Sequence, residues 1–191
     1  SVDSMDPQML RRQIGLIGQQ PTVFPGTIED NMLFALNYYK ELSSVDRKAK
    51  AIQCLEQAGL YSEINGDMKR LASSLSGGQQ QRVFLAMTLA QDAELVLLDE
   101  PTTYLDLNRQ AELMGMMRQM QQNGKPVITV LHDLTQACRY CDYLIVMKKG
   151  AVMAQGTPDE VMTEELLKDV FDLDVIIHRD PISNTPMFIL K

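Results

Sequence analysis

Three short apolar runs stand out in the second half of the chain, at residues 94–98, 127–131 and 143–147. Each run is apolar on both faces, rich in leucine or β-branched residues, and too short for an ordinary helix. This pattern is typical of buried strands in a parallel sheet. Apolar residues at helical spacing separate the runs, over residues 108–122 and 134–140. The alternation predicts an α/β fold with a parallel sheet.

The first part of the chain has a different pattern. Residues 12–18 indicate one strand, after which two prolines and a glycine interrupt regular structure. Helical segments follow at residues 27–36 and 45–58. We therefore expect an all-helical insert over residues 19–75.

The end of the chain predicts a helix and a hairpin. Thr157 and Glu160 have the spacing of a capping box, with Pro158 at the first helical position, so a helix is expected to begin there. Two apolar segments, at residues 175–177 and 187–189, predict a closing hairpin.

Composition restricts the classes of protein. The 191 residues include 18 Lys and Arg against 25 Asp and Glu, which gives a formal net charge of −7. An acidic surface argues against binding to nucleic acid. The longest nearly continuous apolar stretch, residues 83–90, is far shorter than the roughly 20 residues of a membrane-spanning helix. We expect a soluble, cytoplasmic protein whose membrane role depends on a partner.

Cys138 and Cys141 form a CxxC pair, and Cys54 is the third cysteine. An odd number of cysteines fits a reducing compartment rather than a disulfide framework. A zinc or redox site would need a second ligand pair or a thioredoxin-like βαβ unit, and the sequence has neither. The cysteines are better interpreted as small apolar residues of a helix.

Polar residues follow two of the predicted strands, namely Asp99 with Glu100 and His132 with Asp133. Ligands of open α/β sheets bind at the carboxyl ends of the strands, so these side chains are expected to face one crevice. Two glycines also precede a strong helical pattern in residues 75–82, Leu-Ser-Gly-Gly-Gln-Gln-Gln-Arg. Exposed N–H groups at such a helix start suit phosphate, although a simple helix cap has the same pattern.

Taken together, these segments resemble the nucleotide-binding domain of ABC transporters. The resemblance covers nearly the whole chain and implies a P-loop NTPase-like parallel sheet with a helical insert. It is carried by five motifs in the family's order: Gln19, residues 75–82, Leu-Val-Leu-Leu-Asp-Glu-Pro-Thr at 95–102, Leu105-Asp106, and Leu-His-Asp at 131–133.

The resemblance implies catalytic roles for four residues. Asp99 would hold Mg²⁺ through water, and Glu100 would polarise or deprotonate the water that attacks ATP. His132 would contact the γ-phosphate and orient Glu100 and the water. Gln19 would sense Mg²⁺ and water and couple the site to a membrane partner.

The resemblance also implies a composite site. Ser76, Gly77, Gly78 and Gln79 would bind the γ-phosphate of ATP held by a second subunit, so that a homodimer works on two transmembrane permease subunits at the inner face of the membrane. Asp106 would lie at the interface between the two ATPase subunits.

One departure from the family is serious, because the phosphate-binding loop GxxxxGK[ST] is absent from the sequence. The only Gly-Lys pair, Gly124-Lys125, is followed by Pro126 and has Gln119 in place of the first glycine. In the family this loop precedes the segment that ends at Gln19. We therefore expect a fragment that begins after the loop, binds ATP poorly by itself and has a gap in its sheet. A product that has lost the function is the alternative.

The implied domain division follows the motifs. Residues 1–18 would be a remnant of the ATPase core, 19–75 the helical subdomain, 76–171 the rest of the core, and 172–191 the closing hairpin.

Two segments, at residues 129–137 and 154–163, look like those of importers of ferric siderophores, haem or cobalamin, and the Pro-rich ending is similar to theirs. Residues 20–31 are closer to other transporters or exporters. Import of an iron–siderophore complex is the favoured function.

Two other functions fit the family's shape. One is a non-hydrolysing regulatory or interaction module. The other is an ABC-type ATPase of DNA repair, which needs a long coiled coil between the glutamine loop and the signature. Only 56 residues separate Gln19 from Ser76, and the charge is acidic, so the DNA-repair class is rejected.

Overall fold

A computed structural model of the chain describes residues 5–19, 23–37, 42–103 and 105–191, and it separates into two compact units, 1–130 and 131–191. The first unit contains α1 (Pro7–Gln13), β1 (Ile14–Ile17), α2 (Ile28–Leu36), α3 (Ser44–Gln57), a 3₁₀ turn (Ala72–Ser74), α4 (Gly77–Ala90), β2 (Leu95–Asp99), α5 (Leu107–Gln122) and β3 (Val127–Val130). The second contains α6 (Leu134–Tyr140), β4 (Leu144–Lys148), β5 (Ala151–Gly156), α7 (Pro158–Val161), α8 (Glu164–Phe171), β6 (Val175–Arg179) and β7 (Pro186–Leu190).

The first unit has a parallel sheet in the order β1-β2-β3, which confirms the predicted α/β class. The register pairs Ile14 with Leu95 and Ile17 with Leu98. Among the described residues, the outer edges of β1 and β3 have no further strand partner. The expected gap in the sheet stays a prediction.

The first strand is shorter than predicted. It begins at Ile14 rather than Arg12, since residues 7–13 form a helix. Asp6 caps this helix by accepting a hydrogen bond from the Gln8 N–H, and Pro7 occupies the first helical position. Both are standard helix-start signals, and they override the extended pattern of the following residues.

The helices α2 and α3 of the predicted insert pack with α4 around fully buried aliphatic side chains. Asn31 is also completely buried, and it organises the turn before α2. Its Oδ1 accepts from the Phe24 N–H at 2.8 Å, while its Nδ2 donates to the carbonyls of Phe24 and Thr27 at 3.0 and 2.9 Å. A buried amide with these partners avoids the cost of an unsatisfied polar group. The principal buried side chains are Ile28, Met32, Leu36, Leu55, Val83 and Leu85.

The second unit consists of two antiparallel hairpins, β4–β5 and β6–β7, with three helices. The prediction of a buried parallel strand at residues 143–147 is wrong, because β4 pairs antiparallel with β5. Lys149 and Gly150, with φ of 50° and 81°, form the connection. Two consecutive positive φ values characterise the type I′ turn, whose twist joins antiparallel strands.

One face of β4 is also exposed. Ile145 and Met147 are 59% and 58% accessible, while Leu144 and Val146 are buried. The predicted capping box of the following helix is present, since Thr157 and Glu160 exchange the expected bonds.

Cys138 and Cys141 lie on and directly after α6, and all three cysteines are free. Cys138 is buried in the apolar cluster of the second unit. Burial raises the pKa of its thiol to about 11. No group of three or more metal-ligating side chains occurs within the described part of the chain.

None of the described helices combines the length and the apolar character that a membrane span requires. The domain boundaries implied by the motifs stay a prediction.

A substitution at Gly15 tests the packing between β1 and α4. A Cβ at this position would lie 2.5 Å from Thr88 Cγ2. We expect Gly15→Ala to lower the free energy of unfolding by about 1–3 kcal/mol, because overpacking displaces neighbouring atoms. Chemical denaturation measures this change. Adding Thr88→Ser, which removes the methyl and keeps the hydroxyl, should recover part of it.

Gly115→Ala is the matched control, because a Cβ there meets nothing within 4 Å and the residue is inside α5. It should stabilise the protein by about 0.5–1 kcal/mol, the usual difference between the two residues in a helix. Equal losses from Gly15→Ala and Gly115→Ala would contradict the packing.

Thiol labelling tests the burial of the three cysteines. At pH 8, iodoacetamide should modify the half-buried Cys141 at least about tenfold faster than Cys138 or Cys54, because burial raises the pKa of both latter thiols. Mass spectrometry of the native and denatured protein measures the order. Simultaneous protection of Cys138 and Cys141 that a reductant reverses would instead indicate a disulfide.

Candidate functional site

The carboxyl ends of β1 and β2 bring two predicted residues together. Gln19 Nε2 donates a hydrogen bond to Glu100 Oε2 at 2.5 Å. The contact follows from the strand register, because Ile17 pairs with Leu98 and each residue lies two positions further along its own chain. The family resemblance implies that both residues act at one site, and the parallel register brings their side chains into contact.

Glu100 has an unusual backbone. Its φ is 48°, in the left-handed region that non-glycine residues avoid at a cost of about 1 kcal/mol or more. Its N–H donates to the carbonyl of Val130 at 3.2 Å, and Thr103 Oγ1 donates to its carboxylate at 3.3 Å. The strained turn therefore holds the carboxylate at the sheet end in contact with Gln19.

Asp99 is the last residue of β2, and its side chain is exposed at the same sheet end. Asp99, Glu100 and the Gln19 amide place oxygen atoms that can act as metal ligands at this end of the sheet. Mg²⁺ is typically held by one or two carboxylates together with water and substrate phosphates, so this small donor set fits it without a cage of protein ligands.

The glycine motif opens α4. Ser76 is the N-cap, with its side chain accepting from the Gln79 N–H at 3.3 Å, while Gln79 Oε1 accepts from the Ser76 N–H at 3.1 Å. A Cβ at Gly77 would lie in open space, and one at Gly78 would meet only Leu105 Cδ2, at 3.9 Å. The first turn thus exposes backbone N–H groups at the positive end of the helix dipole.

Asp106 occupies the N-cap of α5, where its Oδ1 accepts from the Arg109 N–H at 3.0 Å. The structure therefore gives Asp106 a capping function. Its implied position at a subunit interface stays a prediction.

His132 belongs to the second unit, where it lies exposed directly before Asp133, the N-cap of α6. The pairing of Gln19 with Glu100 is formed within the first unit. The role of His132 stays as the resemblance implies it.

A charged cluster beside α4 was not predicted. The Glu63 carboxylate accepts from Gln79 Nε2 at 2.8 Å and forms ion pairs with Arg82 and Arg109. Arg82 has a side chain only 9% exposed, and its Nη1 also lies 3.6 Å from Glu112 Oε2. Burial alone would raise the pKa of Glu63, but the bonds from Gln79 and Arg109 and the charge of Arg82 outweigh it and lower the pKa.

Sequence reasoning missed Glu63 because it lies in a turn without periodicity, 19 residues before Arg82. The only available signal was the spacing of Gln79 and Arg82, which places both on one face of α4.

Comparisons with known proteins identify the family to which the chain is similar. The family model described as "ABC transporter" matches residues 1–103. The chain is 43% identical over 187 residues to the achromobactin transport ATP-binding protein CbrD of Dickeya dadantii, covering 93% of this chain and 66% of that protein.

Two further relatives are similar. The ferric enterobactin transport ATP-binding protein FepC of Escherichia coli is 37% identical over 93% of this chain and 66% of its own length. The petrobactin import ATP-binding protein FpuD of Bacillus anthracis is 34% identical over 99% of this chain and 70% of its own length. The chain thus spans about two thirds of the length of these curated relatives.

Solved structures share the fold. A metal-chelate type ABC transporter in an inward-facing conformation matches with a TM-score of 0.75 and 24% identity, over 94% of this chain and 73% of that one. The dimeric ATP-binding cassette MJ0796 in a post-hydrolysis state with ADP and Pi matches with a TM-score of 0.70 and 29% identity, over 81% and 68%. By its family match and its relatives, the chain belongs to the ABC transporter family of ATP-binding proteins.

Proposed function

We propose that this chain is part of the ATP-hydrolysing subunit of an ABC importer. In this function two copies bind ATP between them, at the cytoplasmic face of the membrane, and drive a pair of permease subunits. The observation that carries the proposal is the 2.5 Å contact between Gln19 and Glu100 at the carboxyl ends of adjacent parallel strands.

The chemistry follows from the groups at this edge. Glu100 accepts a proton from, or polarises, the attacking water, while Gln19 holds its carboxylate in place. Asp99 would hold Mg²⁺ through water, and the ion would supply positive charge beside the phosphates. The family resemblance assigns a further role, a contact with the γ-phosphate, to His132. Phosphoryl transfer depends mainly on such positioning and electrostatic stabilisation.

The first turn of α4 acts on the ATP of the other subunit. Ser76, Gly77, Gly78 and Gln79 present N–H and polar side-chain groups to the γ-phosphate. The open space around Gly77 supports this role, because a phosphate can approach the backbone there. Asp106 follows Leu105, whose side chain lies nearest to Gly78, and would belong to the same interface.

An iron–siderophore complex is the proposed cargo. The similar ATP-binding proteins are named for transport of achromobactin, ferric enterobactin and petrobactin. The sequence contains no GxxxxGK[ST] loop, so hydrolysis requires that loop from the complete ATPase. A non-hydrolysing regulatory or interaction module derived from an ABC ATPase is the second candidate.

Glu100→Gln tests the proposed chemistry in the ATPase that carries this sequence with a GxxxxGK[ST] loop. We expect ATP hydrolysis to fall by about 10²–10⁴-fold, because the amide cannot accept the proton of the attacking water. Phosphate release measures the rate. Glu94→Gln is the control at the opposite end of β2, and it should leave the rate unchanged.

If Glu100→Gln keeps full activity, Glu100 is not the base. If the unchanged protein hydrolyses no ATP even with the loop, the regulatory module is the better function.

Ser76→Ala tests the γ-phosphate contact. Ser76 and Ser43 are both N-caps that accept a backbone N–H, at 3.3 and 3.2 Å. Each alanine variant should lose about 1 kcal/mol of stability. Only Ser76→Ala should also weaken ATP-driven dimerisation, by about tenfold for one lost charge-assisted bond.

Sedimentation with Mg-ATP measures the dimer, and thermal unfolding measures the shared loss of the cap. Equal weakening of dimerisation by Ser43→Ala and Ser76→Ala would contradict a phosphate contact at Ser76.

A further inference from the structure

We infer that Glu63 is a positioning residue that holds the Ser76–Gln79 turn and the Asp106 turn in one fixed arrangement for ATP bound by a second subunit. The inference rests on the proposed function. Glu63 itself touches no reacting group, and it acts through Gln79, Arg82 and Arg109.

The two oxygens of the Glu63 carboxylate together contact two segments of the chain. Oε1 accepts from Gln79 Nε2 at 2.8 Å, while Oε2 pairs with Arg82 and lies 3.5 Å from Arg109 Nη1. Gln79 and Arg82 belong to α4, and Arg109 belongs to α5. One acidic group therefore links the starts of two helices that are distant in sequence.

Each link leads directly to a residue that the resemblance assigns to the composite site. The Gln79 side chain that donates to Glu63 also accepts the Ser76 N–H at 3.1 Å through its Oε1. The Arg109 residue that reaches Glu63 through its side chain also donates its backbone N–H to Asp106 at 3.0 Å. Glu63 is thus one residue removed from both Ser76 and Asp106.

The backbone that carries Glu63 is anchored. Its neighbours Leu60 and Ile64 are buried, at 0% and 3% accessibility, in the turn segment that follows α3. The anchored backbone and the bonds to Gln79, Arg82 and Arg109 hold the Glu63 carboxylate in one position. Exposed ion pairs contribute little, but networks that share a buried partner such as Arg82 contribute more.

The charge arrangement explains why an acid is needed here. Arg82 is nearly buried, and a buried cation must be paired. Glu112 also approaches Arg82, at 3.6 Å, but among the described residues no hydrogen bond or ion pair joins it to Gln79 or Arg109. Glu112 can therefore balance the charge of Arg82 without joining the two turns, which makes it the matched control.

The test combines Glu63→Gln with Arg109→Gln in the complete ATPase, in a Glu100→Gln background that slows hydrolysis. Sedimentation with Mg-ATP measures the dimer dissociation constant, and a fluorescent ATP analogue measures binding to the monomer. Each single variant should raise the dimer constant about tenfold, because a bond between charged groups is lost. Monomer binding should stay within about twofold.

The double variant should be no worse than the more severe single variant, because both remove the same link. Glu112→Gln should change the dimer constant by less than about twofold. Arg109→Gln leaves the Glu63–Arg82 pair intact, so it decides the question even if Glu63→Gln fails to fold. Additive effects, or an equal effect of Glu112→Gln, would overturn the inference.

Hydrogen exchange separates this inference from the proposed function. Without nucleotide, Glu63→Gln should speed exchange in residues 76–82 and 106–112 together, whereas Glu112→Gln should not. Unchanged exchange in either segment overturns the positioning role. If the unchanged protein never dimerises with ATP, the proposed function fails, while the exchange result still decides whether Glu63 joins the two turns.

Discussion

The register between β1 and β2 is the constraint on which the candidate site depends. Ile14 pairs with Leu95, and the pairing continues to Ile17 with Leu98. Two residues beyond that pair, Gln19 meets Glu100 at 2.5 Å. A slip of one residue would reverse which side chains of β1 face the core, exposing Ile17, which is 1% accessible. Burial of the strand therefore fixes the contact between two polar groups at its end.

A second set of bonds fixes the loop that follows Glu100. The buried Gln81 of α4 donates to the Pro101 carbonyl at 2.6 Å. From α5, Gln110 donates to the carbonyls of Thr102 and Leu105, at 3.2 and 3.0 Å. The strained backbone of Glu100 is thus held from both helices, which is how a left-handed non-glycine residue can persist.

The sequence predicts strands and helix starts well where local signals agree with burial. The run at residues 94–98 lies within one residue of β2, and the capping box at Thr157 is present. Gln19 and Glu100 were named from the family's motifs, and the structure brings them together. In contrast, the strand at residues 143–147 was predicted parallel because an apolar run does not encode its partner. The Lys149-Gly150 turn determines its antiparallel direction.

The Glu63 cluster could not be predicted because it depends on tertiary proximity. Arg82 stands in the signature segment as a charged residue on a helix, and its spacing is equally compatible with a solvated face. Folding buries it, and its Nε has no hydrogen-bond partner within the described residues, so the pairs with Glu63 and Glu112 must offset its desolvation. A hydrophobic residue of similar size would avoid that cost. The cation instead requires acids beside it, and one of them, Glu63, also reaches Gln79 and Arg109. The energetic cost of burying Arg82 thus has a geometric consequence, since it fixes the position of α4 against α5.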